Sequence, residues 1–326
     1  MSELALALFA AESGEHHVDE PRSRRFARFR EQLDAAAALA RLRAVGLRFV
    51  GRSDEAFPPL LQAIHDPPAG LFVRGTANLE LLARPAVAVV GARACSPYGR
   101  QVARRLGRDL AAAGLVVVSG MARGVDAEAH RGALEAGGVT VAVLGCGVDR
   151  DYPAAHAALA REIVREGLVV SEYAPGVEPA PWRFPARNRI VAGLCSTTIV
   201  VEARERSGAL ISADFALEEG REVFAVPGEI TSALSAGTNA LLRLGATPLT
   251  SSDDVLESLG LGRTEPTPSP VEGELAVVLE HVSVAAATPD ELVRATGLDA
   301  RRLAAALTEL ELAGLVHVEE GLVRAG

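Results

Sequence analysis

Seven short apolar runs that alternate with helix-length segments constrain the fold of this chain more than any other feature. The runs are rich in valine and span residues 86–91, 115–120, 140–147, 168–173, 197–203, 222–228 and, more weakly, 247–251. The segments between them are rich in Ala, Leu, Arg and Glu, which favour helices. Strands that are buried on both faces and alternate with helices are typical of right-handed βαβ units. The sequence therefore predicts an α/β fold with an extended Rossmann-like, doubly wound and mostly parallel sheet.

The sequence on either side of this repeat predicts three further regions. Residues 1–75 are expected to form a helical N-terminal region and a proline-containing connector that ends in a short strand, LFVRG. Residues 76–260 are the Rossmann-like domain. Residues 261–270 are rich in Pro, Gly and Thr, which is typical of a linker. Residues 271–326 predict three helices, one of them capped by Thr288, and a hairpin, which together indicate a small winged-helix domain.

Composition indicates a globular protein, because 49% of the residues are hydrophobic and 23% are charged. No apolar run approaches the ~18 residues that a membrane helix needs, and the first residues lack the basic segment of a signal peptide. We therefore expect a cytoplasmic protein without a membrane span. Cys95, Cys146 and Cys195 are scattered, which predicts buried thiols rather than a disulfide framework or a zinc site. We expect no metal and no cofactor.

The net charge of −9 excludes a protein that coats nucleic acid through a general positive field. Any nucleic-acid site must therefore be local. All 33 basic residues are arginines, which bind phosphate through paired hydrogen bonds and stack on bases. A basic cluster at residues 22–30 is more typical of a solvated helix face than of a binding site.

The turns after the predicted strands carry the candidate binding residues, because ligands bind at the carboxyl ends of parallel strands. The first turn, VGARACSPYG, differs from the dinucleotide fingerprint, since Arg93 stands where a pyrophosphate needs close approach of the backbone. We therefore do not expect nicotinamide or flavin binding. Backbone N–H groups at a helix start, with Arg93 and Ser96, suit a phosphodiester instead. A tight turn with a surface arginine is the alternative.

The second turn, SGMARGVDAEAH, offers small residues to a ligand at Ser119, Gly120 and Gly124. Asp126 is predicted to cap the helix that follows. His130 has no neighbouring nucleophile or metal ligand in the sequence, so we expect it to have a structural role.

The segment PWRFPARNRIVAGLC carries the densest signal. It contains Trp182, Arg183, Phe184, Arg187, Asn188 and Arg189, in a protein with only 4% aromatic residues. Arginines interleaved with aromatic side chains are what phosphate neutralisation and base stacking require. A salt-bridged loop is the alternative. Two later helix starts, at Arg206-Ser207-Gly208 and at Gly237, either bind an anion or only cap their helices.

These motifs, taken in order, resemble the DNA-processing protein A family (DprA, also called Smf). The resemblance rests on FPPLLQAIHDPPAGLFVRG, VGARACSPYG, SGMARGVDAEAH, VLGCGVDRDYP, SEYAPG, FPARNRIVAGL, SGALISADFALEEGREVFAVPG and GTNALLRLGA, and it covers roughly residues 55–260. It implies an extended Rossmann fold that binds single-stranded DNA and performs no chemistry of its own. It also implies a homodimer that loads DNA onto the recombinase RecA in natural transformation and recombination.

The resemblance and the turns together give a set of candidate DNA-binding residues: Arg93, Ser96, Ser119, Gly120, Gly124, Arg187, Asn188, Arg189 and Arg206. Many family members have Lys-Ser-Gly-Ser-Leu where this chain has Arg206-Ser207-Gly208-Ala209-Leu210, which keeps the charge but loses a hydroxyl. The glycines of a helix-hairpin-helix are not evident before residue 50, so the sequence does not support an N-terminal DNA contact.

Residues 271–326 contain ten acidic residues and four arginines. A winged helix that binds duplex DNA should be basic, because phosphate neutralisation supplies most of the affinity. We therefore expect this region to bind protein or to serve as packing. Duplex binding here would instead favour a winged-helix transcription regulator that senses a nucleotide.

The main alternative function is an enzyme. The fold resembles nucleoside-monophosphate phosphoribohydrolases, and Glu202 lies near the position of a catalytic carboxylate. Those enzymes carry a P-G-G-x-G-T-x-x-E turn, however, and this chain has Glu-Arg-Ser-Gly-Ala-Leu instead. Hydrolysis is therefore the less favoured prediction.

Overall fold

A computed structural model of the chain describes residues 2–14, 23–261, 273–284, 287–312, 315–319 and 322–325. The chain divides into two compact units, Met1–Leu261 and Gly262–Gly326. Apart from Leu261, the predicted linker at 261–270 lies outside the described residues.

The first unit is built on a nine-stranded sheet. Its strands are β1 (Leu47–Gly51), β2 (Gly70–Arg74), β3 (Ala86–Val90), β4 (Val116–Ser119), β5 (Thr140–Val143), β6 (Leu168–Ser171), β7 (Thr197–Val200), β8 (Glu222–Ala225) and β9 (Thr247–Pro248). They lie in the order β1-β2-β6-β5-β4-β3-β7-β8-β9. The seven predicted runs form β3 to β9, which pair in parallel. The predicted α/β fold with a mostly parallel sheet is confirmed.

The two strands that come first in the chain extend this sheet in the antiparallel sense. β2 is the predicted LFVRG strand, and it pairs with β6, while β1 pairs with β2. β1 corrects the expectation of a helical N-terminal region before the connector. Only Val45 and Gly46 separate this short strand from α3, so its apolar residues fall within the helical pattern.

Helices cover both faces of the sheet. They are α1 (Ser2–Ser13), α2 (Arg24–Gln32), α3 (Ala35–Ala44), α4 (Pro59–Gln62), α5 (Pro97–Ala112), α6 (Val125–Glu135), α7 (Ala157–Glu166), α8 (Arg183–Gly193), α9 (Gly208–Glu218), α10 (Ala236–Arg243) and α11 (Ser252–Ser258). α4, α8, α9 and α10 contribute to the core on one face. α1, α2, α3 and α7 pack on the other face beside α5, α6 and α11.

The alternation of side chains along the central strand explains the two cores. Val87 and Val89 of β3 belong to the core under α5 and α6, whereas Ala88 and Val90 face the core on the side of α8 and α9. Val87 and Val89 are fully buried. Burial of each such side chain contributes roughly 1.5–3 kcal/mol, so a valine-rich run is stable only between two layers of helices.

The described residues of the second unit form three helices and one hairpin, as predicted. The elements are α12 (Glu274–Val284), α13 (Pro289–Thr296), α14 (Ala300–Leu312), β10 (Val316–Glu319) and β11 (Leu322–Ala325). Thr288 caps α13 in a capping box, in which its hydroxyl accepts the N–H of Glu291 and the Glu291 carboxylate accepts the N–H of Thr288. This arrangement stabilises the start of the helix.

The three cysteines are buried and unpaired, as predicted. Within the described ranges, no cluster of His, Cys, Asp and Glu residues is arranged to hold a metal ion. The helices of the described segments are all too short or too polar to cross a membrane.

Candidate nucleic-acid interface

The topology of the sheet opens a gap beside its central strand. β3 pairs with β4 on one side and with β7 on the other, so the turns after β3 and β7 lead to helices on opposite faces of the sheet. A cavity of about 310 Å³ lies at this point, and we call it the crevice. Its lining includes Gly91, Arg93, Gly120, Asp126, Phe184, Arg187, Asn188, Arg204, Arg206 and Ser207.

A smaller side pocket of about 130 Å³ adjoins the crevice. Its lining includes Arg93, Met121, Arg123, Leu144, Tyr152, Pro153, Phe184 and Arg187. Both cavities are lined by Arg93, Phe184 and Arg187, which therefore separate the side pocket from the crevice.

The crevice gathers five of the nine predicted DNA-binding residues: Arg93, Gly120, Arg187, Asn188 and Arg206. The other four, Ser96, Ser119, Gly124 and Arg189, do not line it. Asn188 also joins α8 to the start of α9, because its side-chain amide donates to the carbonyl of Gly208 at 2.9 Å.

Four exposed arginines surround the two cavities. Arg93, Arg204 and Arg206 line the crevice, and Arg123 lines the side pocket. None of the four forms an ion pair with any residue that the structure describes. The local charge here is therefore positive although the chain as a whole has a net charge of −9. Such a local field attracts anions.

Arg187 is the cationic group at the base of the crevice. It is 6% exposed, and one of its terminal amino groups donates to the carbonyl of Val143. Its Nε is enclosed by protein and has no hydrogen-bond partner among the described residues, and the nearby Asp126 carboxylate offsets part of its charge. Burial lowers the pKa of the Arg187 guanidinium. A buried guanidinium that lines a cavity favours an anion in that cavity.

Asp126 is the carboxylate that faces this arginine. A side chain at Gly120 would lie within 2.5 Å of both the Asp126 carboxylate and the Arg187 guanidinium, so glycine leaves room for the two groups to face each other. Burial raises the pKa of Asp126 to about 6. The prediction that Asp126 caps α6 is wrong: Gly124 is the N-cap, and the Asp126 carboxylate accepts the N–H of Ala122 in the preceding turn at 3.2 Å.

Arg189 is turned away from the crevice and forms a buried ion-pair network. Its terminal amino groups donate to the two oxygens of Glu172 at 2.8 and 2.7 Å, and its Nε donates to Asp66 at 3.0 Å. The side chains of Arg189 and Glu172 are 6% and 7% exposed. The predicted direct DNA contact of Arg189 does not fit this placement, because its donors already serve two carboxylates.

Ser96 does not line the crevice but stabilises the turns beside it through hydrogen bonds. Its hydroxyl accepts the N–H of Gly99 at 3.0 Å and thereby caps α5. The same residue donates to Glu202 through its hydroxyl at 2.5 Å and its N–H at 2.9 Å. Glu202 is 4% exposed, so this carboxylate ties the turn after β3 to the turn after β7.

Ser119 and Gly124 also build the site without lining it. Ser119 is fully buried and donates to the carbonyl of Val89 at 2.6 Å. Gly124 has a φ of +80°, and a side chain there would collide with the carbonyl oxygens of Ala92 and Arg93. Both positions therefore hold the first two turns together.

Phe184 is the aromatic centre of the site. Its ring stacks on Tyr152 with a centroid distance of 5.4 Å and an interplanar angle of 17°. The Arg93 guanidinium lies 5.5 Å from the centroid of the Phe184 ring. Trp182 is 51% exposed, and the Arg183 guanidinium lies 4.9 Å from its ring. The site thus presents aromatic rings next to guanidinium groups, as predicted for this segment.

The sequence analysis missed Tyr152, Arg123 and Arg204. All three lie in turns that follow a strand of the parallel sheet, and this position could have identified them as candidate binding residues.

His130 has the structural role that was expected. Its ring nitrogens lie 2.6 Å from the Thr140 hydroxyl and 2.7 Å from the Gly120 carbonyl, and the side chain is fully buried. Burial lowers the pKa of His130 to about 4. The His130 ring therefore holds the turn at Gly120 in place through this contact with the Gly120 carbonyl.

Comparison with known proteins gives consistent matches along the chain. Residues 48–260 match the family model described as DNA recombination-mediator protein A, and residues 262–321 match the DprA winged helix domain. DNA processing protein DprA of Streptococcus pneumoniae is 49% identical over 62% of this chain and 71% of its own length. Protein Smf of Escherichia coli is 40% identical over 83% of this chain and 75% of its own length.

Two solved structures are also similar. The X-ray structure of DNA processing protein A from Streptococcus pneumoniae has a TM-score of 0.67 at 41% identity and covers 78% of this chain and 92% of that one. A structure of DNA processing protein A from Helicobacter pylori, described as giving insight into its single-stranded DNA binding mode, has a TM-score of 0.59 at 33% identity. It covers 65% of this chain and 95% of that one.

Proposed function

The chain belongs to the DprA/Smf family of DNA processing proteins, and from that premise we propose that it binds single-stranded DNA in the crevice and the side pocket. The observation that carries this proposal is the buried Arg187 guanidinium, which lines two adjoining cavities that four exposed arginines surround. A phosphate of the strand neutralises these charges, and the Helicobacter pylori relative supports a single strand as the ligand.

The geometry favours unpaired DNA over a duplex. A base can stack against Phe184 or Tyr152 only after it has left its own stack, because both rings line the side pocket. Arg93, Arg206 and Arg187 would contact the phosphates on either side of that base. Gly91 and Gly120 allow the DNA backbone to approach the turns closely.

We propose that the crevice binds DNA without catalysing a reaction on it. Glu202, the candidate carboxylate of the alternative enzyme, is buried and accepts two hydrogen bonds from Ser96. A general acid or base must reach its substrate, and the Glu202 carboxylate does not line the crevice. This placement does not favour a nucleoside-monophosphate hydrolase.

We further propose that the chain acts in the cytoplasm as a homodimer and hands bound DNA to RecA. Leu217 on α9 and Leu244 at the end of α10 are 53% and 85% exposed, and both helices pack on the same face of the sheet. These exposed leucines are candidate contacts with a second copy of the chain. The second unit, with its acidic composition, is proposed to bind protein rather than duplex DNA.

The test is fluorescence anisotropy with labelled single-stranded and duplex oligonucleotides of the same sequence. The variant Arg93→Ala/Arg206→Ala removes two exposed guanidinium groups from the crevice. Arg43→Ala/Arg161→Ala is the matched control, because it removes two exposed arginines from α3 and α7, away from both cavities. We expect preferential binding of the single strand that only the first variant loses. Equal loss in both variants, or duplex preference in the wild type, would overturn the proposal.

A further inference from the structure

An open groove of about 450 Å³ adjoins the crevice and shares no lining residue with the side pocket. It is lined by Arg204, Arg206, Ile230, Thr231, Ser232 and Ala236, among others. Arg204 and Arg206 line the crevice as well. The crevice and the groove are therefore continuous surfaces, and two arginines stand at their junction.

The floor of the groove is held by backbone contacts. The N–H of Ala203 donates to the carbonyl of Leu234 at 2.8 Å, and the N–H of Gly237 donates to the carbonyl of Ala203 at 2.8 Å. A side chain at Gly237 would lie 2.7 Å from the carbonyl oxygens of Ala203 and Arg204. Glycine is therefore required here, and it brings the start of α10 directly against the Arg204 turn.

The loop that carries Ile230 is closed at its base by one side chain. Asn239 donates to the carbonyl of Gly228 at 3.0 Å and accepts the N–H of the same residue at 3.3 Å. This double contact joins the two ends of the loop. The loop therefore has its shape before any ligand arrives, which lowers the entropic cost of binding.

Ile230 is the most exposed large apolar residue in the described part of the chain, at 95%. A single exposed apolar side chain is common and indicates nothing by itself. Here it projects from a fixed loop beside two arginines that form no ion pair within the described ranges. Glu205 is the only acidic residue of the groove lining, so two guanidinium groups face one carboxylate.

We infer that the bound strand continues from the crevice into this groove, where Arg204 binds a phosphate and Ile230 packs against the sugar or base of a neighbouring nucleotide. The inference rests on the proposed function and extends it to a longer DNA footprint. It also explains the role of Gly237 and Asn239 in the GTNALLRLGA motif, because both residues hold the backbone around the groove in place.

The test compares short and long oligothymidylates, about 4 and about 16 nucleotides long. The variant Arg204→Ala/Ile230→Ser alters the groove. Arg161→Ala/Val45→Ser is the matched control, because it changes an exposed arginine and an exposed β-branched apolar residue outside all three cavities. We expect the groove variant to bind the long strand about threefold to tenfold more weakly than the control. Its salt dependence should lose about 0.7 of a log unit per log unit of salt, which is one phosphate contact.

Because Arg204 also lines the crevice, the short strand is tested with Ile230→Ser alone against Val45→Ser: affinity for the short strand, which the crevice and side pocket hold, should be the same in these two variants. If the groove variant binds the long strand as the control does, the inference is wrong and the proposed function is unaffected. If the groove variant loses affinity for short and long strands equally, Arg204 acts within the crevice alone, which also overturns the inference. Absence of binding to either strand by the wild type would instead refute the proposed function.

Discussion

Replacing Arg189 by methionine tests whether this buried arginine supports the crevice or contacts DNA. The substitution keeps most of the aliphatic stem but removes the guanidinium that holds Glu172 and Asp66. Glu172 is 7% exposed and would remain as a buried carboxylate without its cation, whereas Asp66 is 34% exposed and can be rehydrated. Breaking a buried ion pair in this way costs about 3–5 kcal/mol of the free energy of unfolding.

Urea denaturation followed by far-ultraviolet circular dichroism measures this cost. The double variant Arg189→Met/Glu172→Leu is the control, and it should recover most of the lost stability because it removes both charges together. Under conditions where each variant is folded, we expect affinity for single-stranded DNA to fall by less than about tenfold, or about 1.4 kcal/mol. An Arg189→Met protein with the stability of the wild type and a much larger loss of DNA affinity would refute this reasoning.

Three further predictions concern the crevice. Phe184→Ala should lower affinity for single-stranded DNA by about 1–3 kcal/mol in anisotropy titrations, because a stacking surface is lost, and an unchanged affinity would show that the ring only packs on Tyr152. Gly124→Ala should lower the free energy of unfolding by at least roughly 1–2 kcal/mol, because φ is +80° and the new side chain meets two carbonyls; urea denaturation that shows no change would contradict this. Asp126→Asn should make the protein more sensitive to acid. His130 has a folded pKa of about 4, below its unfolded value, so its contribution to stability is present above pH ~6.5 and is lost as the pH falls towards 4, by roughly 3 kcal/mol. Asp126 has a folded pKa of about 6, above its unfolded value, so stability rises by roughly 3 kcal/mol as the pH falls from 6 to about 4 and offsets that loss. In the Asp126→Asn variant the His130 effect is no longer offset, so urea denaturation should show a lower free energy of unfolding at pH 4.5 than at pH 7.5. An equal pH dependence in the wild type and the variant would contradict the opposing roles of His130 and Asp126.

The central sheet and the position of the crevice could be predicted from the sequence because both follow from periodicity. Valine-rich runs of strand length have to be buried on both faces, and the turns after parallel strands meet at one edge. Arg93, Gly120 and Arg206 come together for this reason, although they lie on three different turns.

Other features depend on which face of an element packs inward, and sequence alone does not give this. Arg187 and Arg189 are two residues apart on α8, so they point to different sides of the helix. Only the packing of α8 decides that Arg187 lies in the crevice and Arg189 meets Glu172. The partner Asp66 is 123 residues away along the chain, which no local pattern reports.

Arg123 and Arg204 could not be recognised as site residues from the sequence. Arg123 and Arg204 are two of 33 arginines in a chain without lysine, so their residue type carries no information. Their significance comes from position beside a cavity and from the absence of an ion-pair partner within the described residues. Tyr152 likewise gains its role from the Phe184 ring that packs on it.

A crystal structure of the full chain with a short oligothymidylate tests most directly whether the crevice binds single-stranded DNA. We expect a phosphate oxygen within hydrogen-bond distance, about 2.7–3.2 Å, of the Arg187 guanidinium, and an unpaired base against the Phe184 and Tyr152 rings. A strand bound elsewhere on the protein, with the Arg187 guanidinium in contact with protein and water alone, would contradict it.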